Sequence, residues 1–390
     1  MLELLRTPFR WLFLSTLVSQ AGSKMGRIAL LVATYLLTHQ ALLVSLVVSS
    51  QLIASIVFGP LLAPWVDRQD RRRLMVATDL GRALLTFLIP LIGFRSELAL
   101  LLLVFAIEAL TSAFYPASQA AIPEVAGERL DEANSLSLFA DRTAEVAFTG
   151  LAGLLIALLG SAPVFYINGL TYLASAVFLA QLPALRPASP APEHPFSEAF
   201  RDGLRFLWQQ KLLRSVILIL TLAACFGSIE GVLNVVLAIH YLHVGSTGFG
   251  LMEAAVAIGV IGSTLILPQL LRNRSRLWLF GRGLLGLGLS TASIGTFPYF
   301  FWVLPALLIG GFFNMAFIIP TRSLLQLHTP PELRGRVFAS FSTLTSAGVL
   351  VGSLLAGWLQ PLLGAPAIYI LAGLAVALLG GGILRNAQQA

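Results

Sequence analysis

Acidic and basic side chains stand inside several long apolar stretches of this chain. They are Lys24, Arg27, Glu108, Asp141, Arg142, Glu145, Glu230 and Glu253. The stretches run for about 20 residues or more, which is the length needed to cross a bilayer. A charge at the centre of a bilayer costs at least a few kcal/mol unless it is paired or hydrated. Each of these side chains is therefore a candidate for binding a solute or a proton.

The charges in the first half of the chain balance in sign. The set contains Lys24, Arg27 and Arg142 together with Glu108, Asp141 and Glu145. Gln20, Lys24 and Arg27 share one helical face, and Asp141 and Glu145 lie one turn apart. Two interpretations remain open. The set is either a structural ion network, since buried charges are normally paired, or a substrate site whose ion pairs open and re-form.

The second half has acidic residues without a basic residue at the same depth. Glu230 is followed one turn later by Asn234, Glu253 lies in the next stretch, and Asn314 lies further on. A carboxyl group in a medium of low dielectric without a cation nearby is a candidate for carrying a proton. Glu230 is our first choice for that role. The alternative is that Glu230 bridges to the charge network of the first half.

Other kinds of chemistry lack their signatures. There is no Walker motif for ATP, no Ser-His-Asp arrangement and no metal-ligand spacing. We therefore expect no catalytic residue, no cofactor and no metal, and the chain is not predicted to be an enzyme. The single cysteine, Cys225, lies in an apolar stretch and is interpreted as a small buried hydrophobe.

The composition is that of a membrane protein. The chain has 390 residues, of which 57% are hydrophobic and 11% charged, and its net charge is +7. A soluble domain carries about 25% charged residues, so these charges are too few to coat a globule. Segments of about ten alternating residues, as in a β-barrel, are absent. The fold class is therefore an all-α polytopic membrane protein, and the lipid bilayer is its surrounding medium.

Hydropathy predicts about twelve transmembrane helices. Their approximate limits are 9–37, 42–66, 74–94, 98–122, 132–159, 163–182, 212–241, 249–271, 277–296, 300–327, 337–363 and 367–384. With the N-terminus inside, nearly all arginines outside the spans fall in cytoplasmic connections, and the outer loops hold only Arg95. This asymmetry predicts that both termini are cytoplasmic. It also explains the positive net charge without a nucleic-acid partner.

The predicted spans divide into two groups of six. Residues 1–183 form a predicted N-terminal six-helix bundle, residues 184–211 a cytoplasmic linker, and residues 212–390 a C-terminal six-helix bundle. The linker begins Pro-rich, which suits an extended tether. Phe200, Leu204 and Leu207 then recur at helical spacing with Arg201 and Arg205 between them. This pattern predicts a short amphipathic helix on the inner membrane face.

The two bundles are related by an internal repeat. Pro116 matches Pro320, and the same offset holds from the fourth span to the sixth; Arg82 is matched by Arg282 at a smaller offset. Two parallel halves of this kind are typical of transporters. The bundles are therefore expected to be pseudo-symmetric.

A short charged stretch, Gly59 to Arg73, separates the second and third spans; we call it the clasp. Its charged residues are Asp67, Arg68, Asp70, Arg71, Arg72 and Arg73. The clasp resembles the loop motif of the major facilitator superfamily, with Asp70 where the motif has its later Gly. Pro116 with its neighbours and the segment Arg334-Gly-Arg336 resemble the bacterial efflux branch, which includes enterobactin exporters and macrolide pumps. The resemblance covers essentially the whole chain.

The resemblance implies a central cavity lined by the first, fourth, seventh and tenth spans. The predicted substrate and cavity residues are Gln20, Lys24, Arg27, Glu108, Asp141, Glu145, Glu230, Asn234 and Asn314, with Glu230 and Glu108 as proton-coupling candidates. It also implies that the clasp is a gate, formed by Gly59 and the six charged residues named above. The alternative is that these charges only set the orientation of the helices. Lys24 beside Ser23, where the branch often has an acid, favours an anionic or zwitterionic substrate.

We therefore expect a secondary-active exporter of the bacterial inner membrane. It would move a small amphipathic molecule, such as a drug or siderophore, by proton-coupled alternating access, and it would act as a monomer. Lysophospholipid flipping or solute uptake is the alternative within transport. A receptor or scaffold that transports nothing is the alternative of a different class.

Overall fold

The structure is a computed structural model that describes residues 4–66, 68–185, 196–273, 275–330 and 333–389. Asp67 of the clasp and most of the Pro-rich part of the linker lie outside these ranges. Within the described ranges the backbone is helical almost throughout and contains no strand. The helices are α1 (Phe9–Thr38), α2 (Ala41–Val66), α3 (Arg71–Leu91), α4 (Glu97–Ala126), α5 (Leu130–Leu159), α6 (Ser161–Leu179), α7 (Phe196–Gln209), α8 (Lys211–Val236), α9 (Gly245–Asn273), α10 (Arg276–Thr296), α11 (Phe300–Leu327), α12 (Arg334–Leu363) and α13 (Ala365–Gln389).

Twelve of these helices, all except α7, are long enough to cross a bilayer in the described part of the chain. Ten stretches also satisfy a strict test of length and hydropathy, and one of them, Glu97–Leu159, contains both α4 and α5. Helix α1 is not among the ten, because Gln20, Lys24 and Arg27 lower its mean hydropathy. The prediction of an all-α polytopic fold with about twelve spans is confirmed.

The described helices group into two compact units. The first unit contains α1 to α6 apart from the start of α2, and the second contains Gln40–Leu46 with α7 to α13. The core of the first unit includes Phe9, Met75 and Leu179. The core of the second includes Phe280 and Leu284. In both units the cores join helices that are distant in sequence, so the polar side chains of those helices are held at fixed positions.

Glycines allow two close helix crossings that position polar side chains. In the first unit, a side chain at Gly26 of α1 would meet the amide of Asn168 in α6. In the second unit, Gly288 of α10 and Gly373 of α13 lie against each other's backbones, and an added Cβ would come within 2.4 Å of the facing atoms. Small residues at such crossings let helix backbones approach. The second crossing brings α13 close to the polar face of α10.

Helix α7 is the amphipathic helix that the linker pattern predicted. It packs on the start of α12, where Ser340 donates a hydrogen bond to the backbone carbonyl of Phe200 at 2.8 Å. Arg336 pairs with Asp202 at 2.6 Å. Gly203 lies against the backbone of Arg336, where a Cβ would come within 2.1 Å of the carbonyl oxygen. The helix is therefore fixed to the second unit by its own contacts.

Candidate functional site

The first unit contains a cavity of about 510 Å³ lined by all six of its helices. Its wall includes five of the residues predicted from sequence: Gln20, Lys24, Arg27, Glu108 and Asp141. The wall also carries apolar and aromatic side chains. The cavity therefore offers a mixed surface, with charges on one part and hydrocarbon on another.

The basic residues of α1 are paired with acidic residues of α5. The Lys24 ammonium contacts Glu145 Oε2 and lies 3.9 Å from Asp141 Oδ1. The Arg27 guanidinium lies 4.0 Å from Glu145 Oε1. The side chains of Lys24 and Glu145 are only about one fifth exposed, so this attraction is weakly screened by solvent. Since two carboxylates neutralise Lys24 in this structure, its charge is less available to an anionic substrate than the sequence suggested.

Glu108 is the acidic residue of this cavity that stands apart from that network. Among the described residues it makes no ion pair within 4 Å. Arg142, which the sequence placed in the same balanced set, is exposed and does not line the cavity. That expectation was wrong because Arg142 follows Asp141 directly, and one residue rotates a side chain by about 100° around a helix.

Sequence reasoning missed a buried ion pair in α3. Asp79 and Arg82 have side chains that are 0% and 4% exposed, and Arg82 Nη2 donates a hydrogen bond to Asp79 Oδ1. The Ser175 hydroxyl of α6 donates to Asp79 Oδ2 at 2.6 Å. The Arg82 guanidinium also lies over two aromatic rings, Phe114 at 4.1 Å and Tyr172 at 4.5 Å. Two opposite charges at i and i+3 within a predicted span were the available signal.

The second unit holds its acidic residues by neutral hydrogen bonds. The Thr291 hydroxyl of α10 donates to Glu230 Oε1 at 2.6 Å. Asn234 donates from Nδ2 to Glu253 Oε1 of α9 at 3.0 Å, and its Oδ1 accepts a hydrogen bond from Tyr369 of α13 at 2.6 Å. Four helices thus meet at one polar cluster. Within the described ranges no basic side chain forms an ion pair with Glu230.

Two residues of this cluster were not predicted. Thr291 and Tyr369 are common residue types that nothing in their local sequence distinguishes, and Tyr369 is fully buried. Asn314, which was predicted, is half-buried in α11, and among the described residues no hydrogen bond joins it to the cluster. A buried polar group needs a hydrogen-bond partner, but the partner's identity depends on how α13 packs.

The described part of the clasp contacts α4 and the end of the first unit. Arg71 pairs with Glu124 of α4, and its backbone N–H donates to the carbonyl of Leu185 at 2.9 Å. Asp70 caps the N-terminus of α3 by accepting from the backbone N–H of Arg73 at 3.2 Å. An N-cap carboxylate satisfies one of the free N–H groups of a helix start. This cap explains why Asp can stand where the family motif has Gly.

The other clasp residues have different surroundings. Gly59 lies within α2, and no atom of the described part of the chain would meet a Cβ placed there within 4 Å. Arg68 and Arg73 are exposed, and Arg72 is half-buried. The ion pair between Arg71 and Glu124 is what joins the described part of the clasp to α4, the helix that carries Glu108.

An apolar groove of about 620 Å³ lies in the second unit along α9, α10 and α11. Its wall includes Trp278, Trp302 and Phe313, and Arg282 is its charged residue. The Arg282 guanidinium lies 4.8 Å from the ring centroid of Trp278. The groove could hold a chain of hydrocarbon beside one positive charge.

Known proteins resemble this chain over almost its whole length. The enterobactin exporter EntS of Citrobacter koseri is 26% identical over 389 residues, which cover 97% of this chain and 92% of that protein. Macrolide efflux protein A of Streptococcus pyogenes is 23% identical over 327 residues, covering 81% and 80% respectively. The crystal structure of the nucleoside transporter NupG has the same fold, with a TM-score of 0.83 at 13% identity over 97% of this chain and 98% of NupG.

The family model of the Major Facilitator Superfamily matches residues 12–339 and, in a second match, residues 225–385. These matches include the helices that carry both polar clusters. The chain therefore belongs to the Major Facilitator Superfamily, and it is a multi-pass membrane transporter of small molecules rather than an enzyme.

Proposed function

We propose that this transporter exports a small amphipathic molecule in exchange for protons. The observation that carries the proposal is the mixed wall of the first-unit cavity, which Lys24 and Glu108 line together with apolar side chains such as Phe114 and Ile107. Such a wall suits a solute with one polar end and a hydrophobic body. The names of two relatives, an enterobactin exporter and a macrolide efflux protein, support export as the direction.

Glu230 and Glu108 are the residues to which we assign the protons. Neither makes an ion pair within the described ranges, and Glu230 is held by a hydroxyl group, which leaves it able to bind a proton. In the proposed cycle, protonation from the outside favours release of the outward-moving substrate, and deprotonation to the inside resets the carrier. Gln20, Lys24, Arg27, Asp141, Glu145, Asn234 and Asn314 are the other proposed cavity residues.

Proteoliposomes test this proposal. The protein is reconstituted, and uptake of erythromycin or of an iron-free catecholate siderophore is measured with and without an imposed pH gradient. We expect the gradient to raise the initial rate at least tenfold for one of these probes. Equal rates with and without the gradient for every probe that moves would overturn the proton coupling.

The clasp is the proposed cytoplasmic gate, and both termini are proposed to lie in the cytoplasm of a bacterial cell with an inner membrane. Two cysteine variants in a Cys225→Ser background test the orientation: Arg95→Cys, between α3 and α4, and Glu128→Cys, between α4 and α5. Both positions are exposed. An impermeant maleimide added to intact spheroplasts should label the first and spare the second. The opposite pattern would reverse the orientation.

The apolar groove favours a second candidate function, lysophospholipid flipping. A single acyl chain fits an apolar groove of this kind, and Arg282 could pair with the lipid phosphate. Proteoliposomes containing a fluorescent lysophospholipid, quenched from outside by dithionite, test this function. Flipping that exceeds the rate in protein-free vesicles, and that falls in Arg282→Gln, would favour lipid as the substrate.

A further inference from the structure

The ion pair buried in α3 is unequally satisfied. Both oxygens of Asp79 accept a hydrogen bond, one from Arg82 and one from Ser175. Arg82 has a free donor, since its buried Nε has no hydrogen-bond partner among the described residues. A guanidinium has five N–H donors and stays protonated at physiological pH. A buried donor without an acceptor costs free energy, so Arg82 is the member of the pair that lacks a second acceptor.

The surroundings of Arg82 attract its charge without supplying that acceptor. The guanidinium carbon lies 4.1 Å from the ring centroid of Phe114 and 4.5 Å from that of Tyr172. Aromatic faces attract a cation through their quadrupole, but they are poor substitutes for an oxygen acceptor. The Tyr172 hydroxyl is itself engaged with Ser23 at 2.9 Å. An oxygen acceptor from another group at the cavity would satisfy this N–H.

Glu108 is the carboxylate placed to fill that role. It lines the same cavity as Arg82, on the helix that also carries Phe114, whose ring lies 4.1 Å from the Arg82 guanidinium. The other ionisable groups that line this cavity are Lys24 and Arg27 on α1, Asp141 on α5, Tyr172 on α6 and Tyr115 on α4. Lys24 is held by Glu145 and Asp141.

The charges in and behind this cavity wall do not sum to zero. The basic members are Lys24, Arg27 and Arg82, and the acidic members are Asp79, Glu108, Asp141 and Glu145. One carboxylate is in excess, and Glu108 is the one without an ion pair in the described ranges. Arg82 thus holds one carboxylate, Asp79, and lines the same cavity as another, Glu108.

We propose that Arg82 is a positioning residue for transport that alternates between two carboxylates. It holds Asp79 while Glu108 is protonated or bound to substrate, and it turns its free N–H groups to Glu108 when that carboxylate is ionised and empty. The inference rests on the proposed function in taking Glu108 as a proton-binding group. Its consequence is that Asp79, which never meets the substrate, controls how readily Glu108 accepts a proton.

The test measures the protonation of Glu108 without any substrate. The purified full-length protein in detergent is treated with dicyclohexylcarbodiimide, which reacts with protonated carboxyl groups in apolar surroundings, over a range of pH. Mass spectrometry of the peptide that contains Glu108 gives the midpoint pH of labelling. Glu230 in the second unit is an internal reference, and Arg142→Gln is the matched control for loss of one positive charge.

The proposal gives opposite signs for the two members of one ion pair. We expect Arg82→Gln to raise the labelling midpoint of Glu108 by about one pH unit, because the carboxylate loses a cation. Asp79→Asn should lower the midpoint by a similar amount, because Arg82 is released to Glu108. Arg142→Gln should leave the midpoint unchanged, and the midpoint of Glu230 should not move in any variant. A shift of the Glu108 midpoint in the same direction in both variants overturns the proposal.

A double variant separates exchange of partners from attraction through space. In the Arg82→Gln background, Asp79→Asn should have no further effect on the midpoint, because Asp79 acts through Arg82. An equal downward shift in both backgrounds would overturn the exchange. Arg82→Lys, which keeps the charge without the planar fork, gives the same comparison if Arg82→Gln does not fold. Since none of these readings involves transport, failure of the proposed proton-coupled export leaves them unaffected.

Discussion

In the first unit the carboxylates of Asp141 and Glu145 are held by the ammonium of Lys24. In the second unit the carboxylate of Glu230 receives its hydrogen bond from the hydroxyl of Thr291. An ion pair favours the charged form of a carboxyl group, whereas a hydroxyl partner in a buried site leaves both forms accessible. The comparison teaches that the two units of one repeat hold these carboxyl groups differently: Asp141 and Glu145 by an ion pair, and Glu230 by a neutral hydrogen bond.

The matched arginines of the repeat show the same division. Arg82 in α3 is buried beside Asp79, whereas Arg282 in α10 is exposed beside the ring of Trp278. Leu279, which is buried, occupies the place in α10 that Asp79 has in α3. Without an acidic neighbour the second arginine cannot be buried at acceptable cost. One side chain, Asp79, thus decides whether the arginine belongs to the core or to the surface.

Glu230→Gln should have the largest effect on transport. The amide keeps the size of the side chain and its bond to Thr291 but cannot bind a proton, so we expect at least a tenfold loss of pH-gradient-driven flux. Initial rates in proteoliposomes measure this loss. Glu97→Gln, the same change at an exposed position, is the control and should retain the wild-type rate. If Glu230→Gln transports normally under a gradient, the contrast between the units has no role in coupling.

Lys24→Met should have a large effect on stability. It leaves Glu145 and Asp141 without their ammonium, and breaking a fully buried pair costs roughly 3–5 kcal/mol. Because the side chain of Lys24 is 20% exposed, we expect about 2 kcal/mol here. The midpoint of thermal unfolding in detergent measures the change.

The second carboxylate provides the control for that prediction. In Lys24→Met with Glu145→Gln, the two neutral side chains leave one fewer buried charge unpaired, so at least half of the lost stability should return. A double variant no more stable than Lys24→Met alone would mean that the network of the first unit is not held by this pair.

Tyr369→Phe should have a moderate effect. It removes the hydroxyl that donates to Asn234, and a net loss of about 1 kcal/mol is typical for one hydrogen bond. Asn234 would then be free to turn, so flux under a pH gradient should fall a few-fold. Unfolding midpoints and initial rates measured on the same preparation test this prediction. If both are unchanged, the hydrogen bond from Tyr369 to Asn234 contributes neither to stability nor to transport.

Arg282→Gln should have the smallest effect. An exposed substitution away from special features changes stability by about 0.5 kcal/mol or less, and solute export should stay within a factor of two. Arg82→Gln at the matched position should cost more than about 2 kcal/mol, because Asp79 would be buried without its cation. Similar unfolding midpoints for the two variants would show that the burial of Arg82 has no energetic importance.

The sequence predicted the helices well because each must satisfy its own backbone in lipid. The structure has α1 at Phe9–Thr38 and α12 at Arg334–Leu363, within three residues of the predicted limits. Amphipathic spacing likewise predicted α7. These features depend on neighbouring residues in the chain, which is why one sequence is enough to find them.

The site was predicted only in part, because side-chain partners depend on packing between distant helices. Lys24, Asp141 and Glu145 were found by their charge alone. Asp79 was not predicted, although it too is a charged residue inside a predicted span. Tyr369 is not charged, and it joins the cluster only because α13 packs closely against α10 at Gly288 and Gly373. This crossing depends on small residues in both helices, so the sequence of one helix does not show which other helix packs against it.

Helix α8 ends in a π-helical turn, Leu237–Tyr241, which holds one more residue per turn than the helix before it. At the end of this turn, the Tyr241 hydroxyl accepts a hydrogen bond from the backbone N–H of Ala365, the first residue of α13. Helices α8 and α13 are thus tied at two levels, through Asn234 with Tyr369 and through Tyr241 with Ala365. The extra residue of the π-helical turn places Tyr241 so that both hydrogen bonds between the helices can form at the same time. Deletion of His240 would rotate Tyr241 by about 100°, and only the hydrogen bond between Tyr369 and Asn234 would remain.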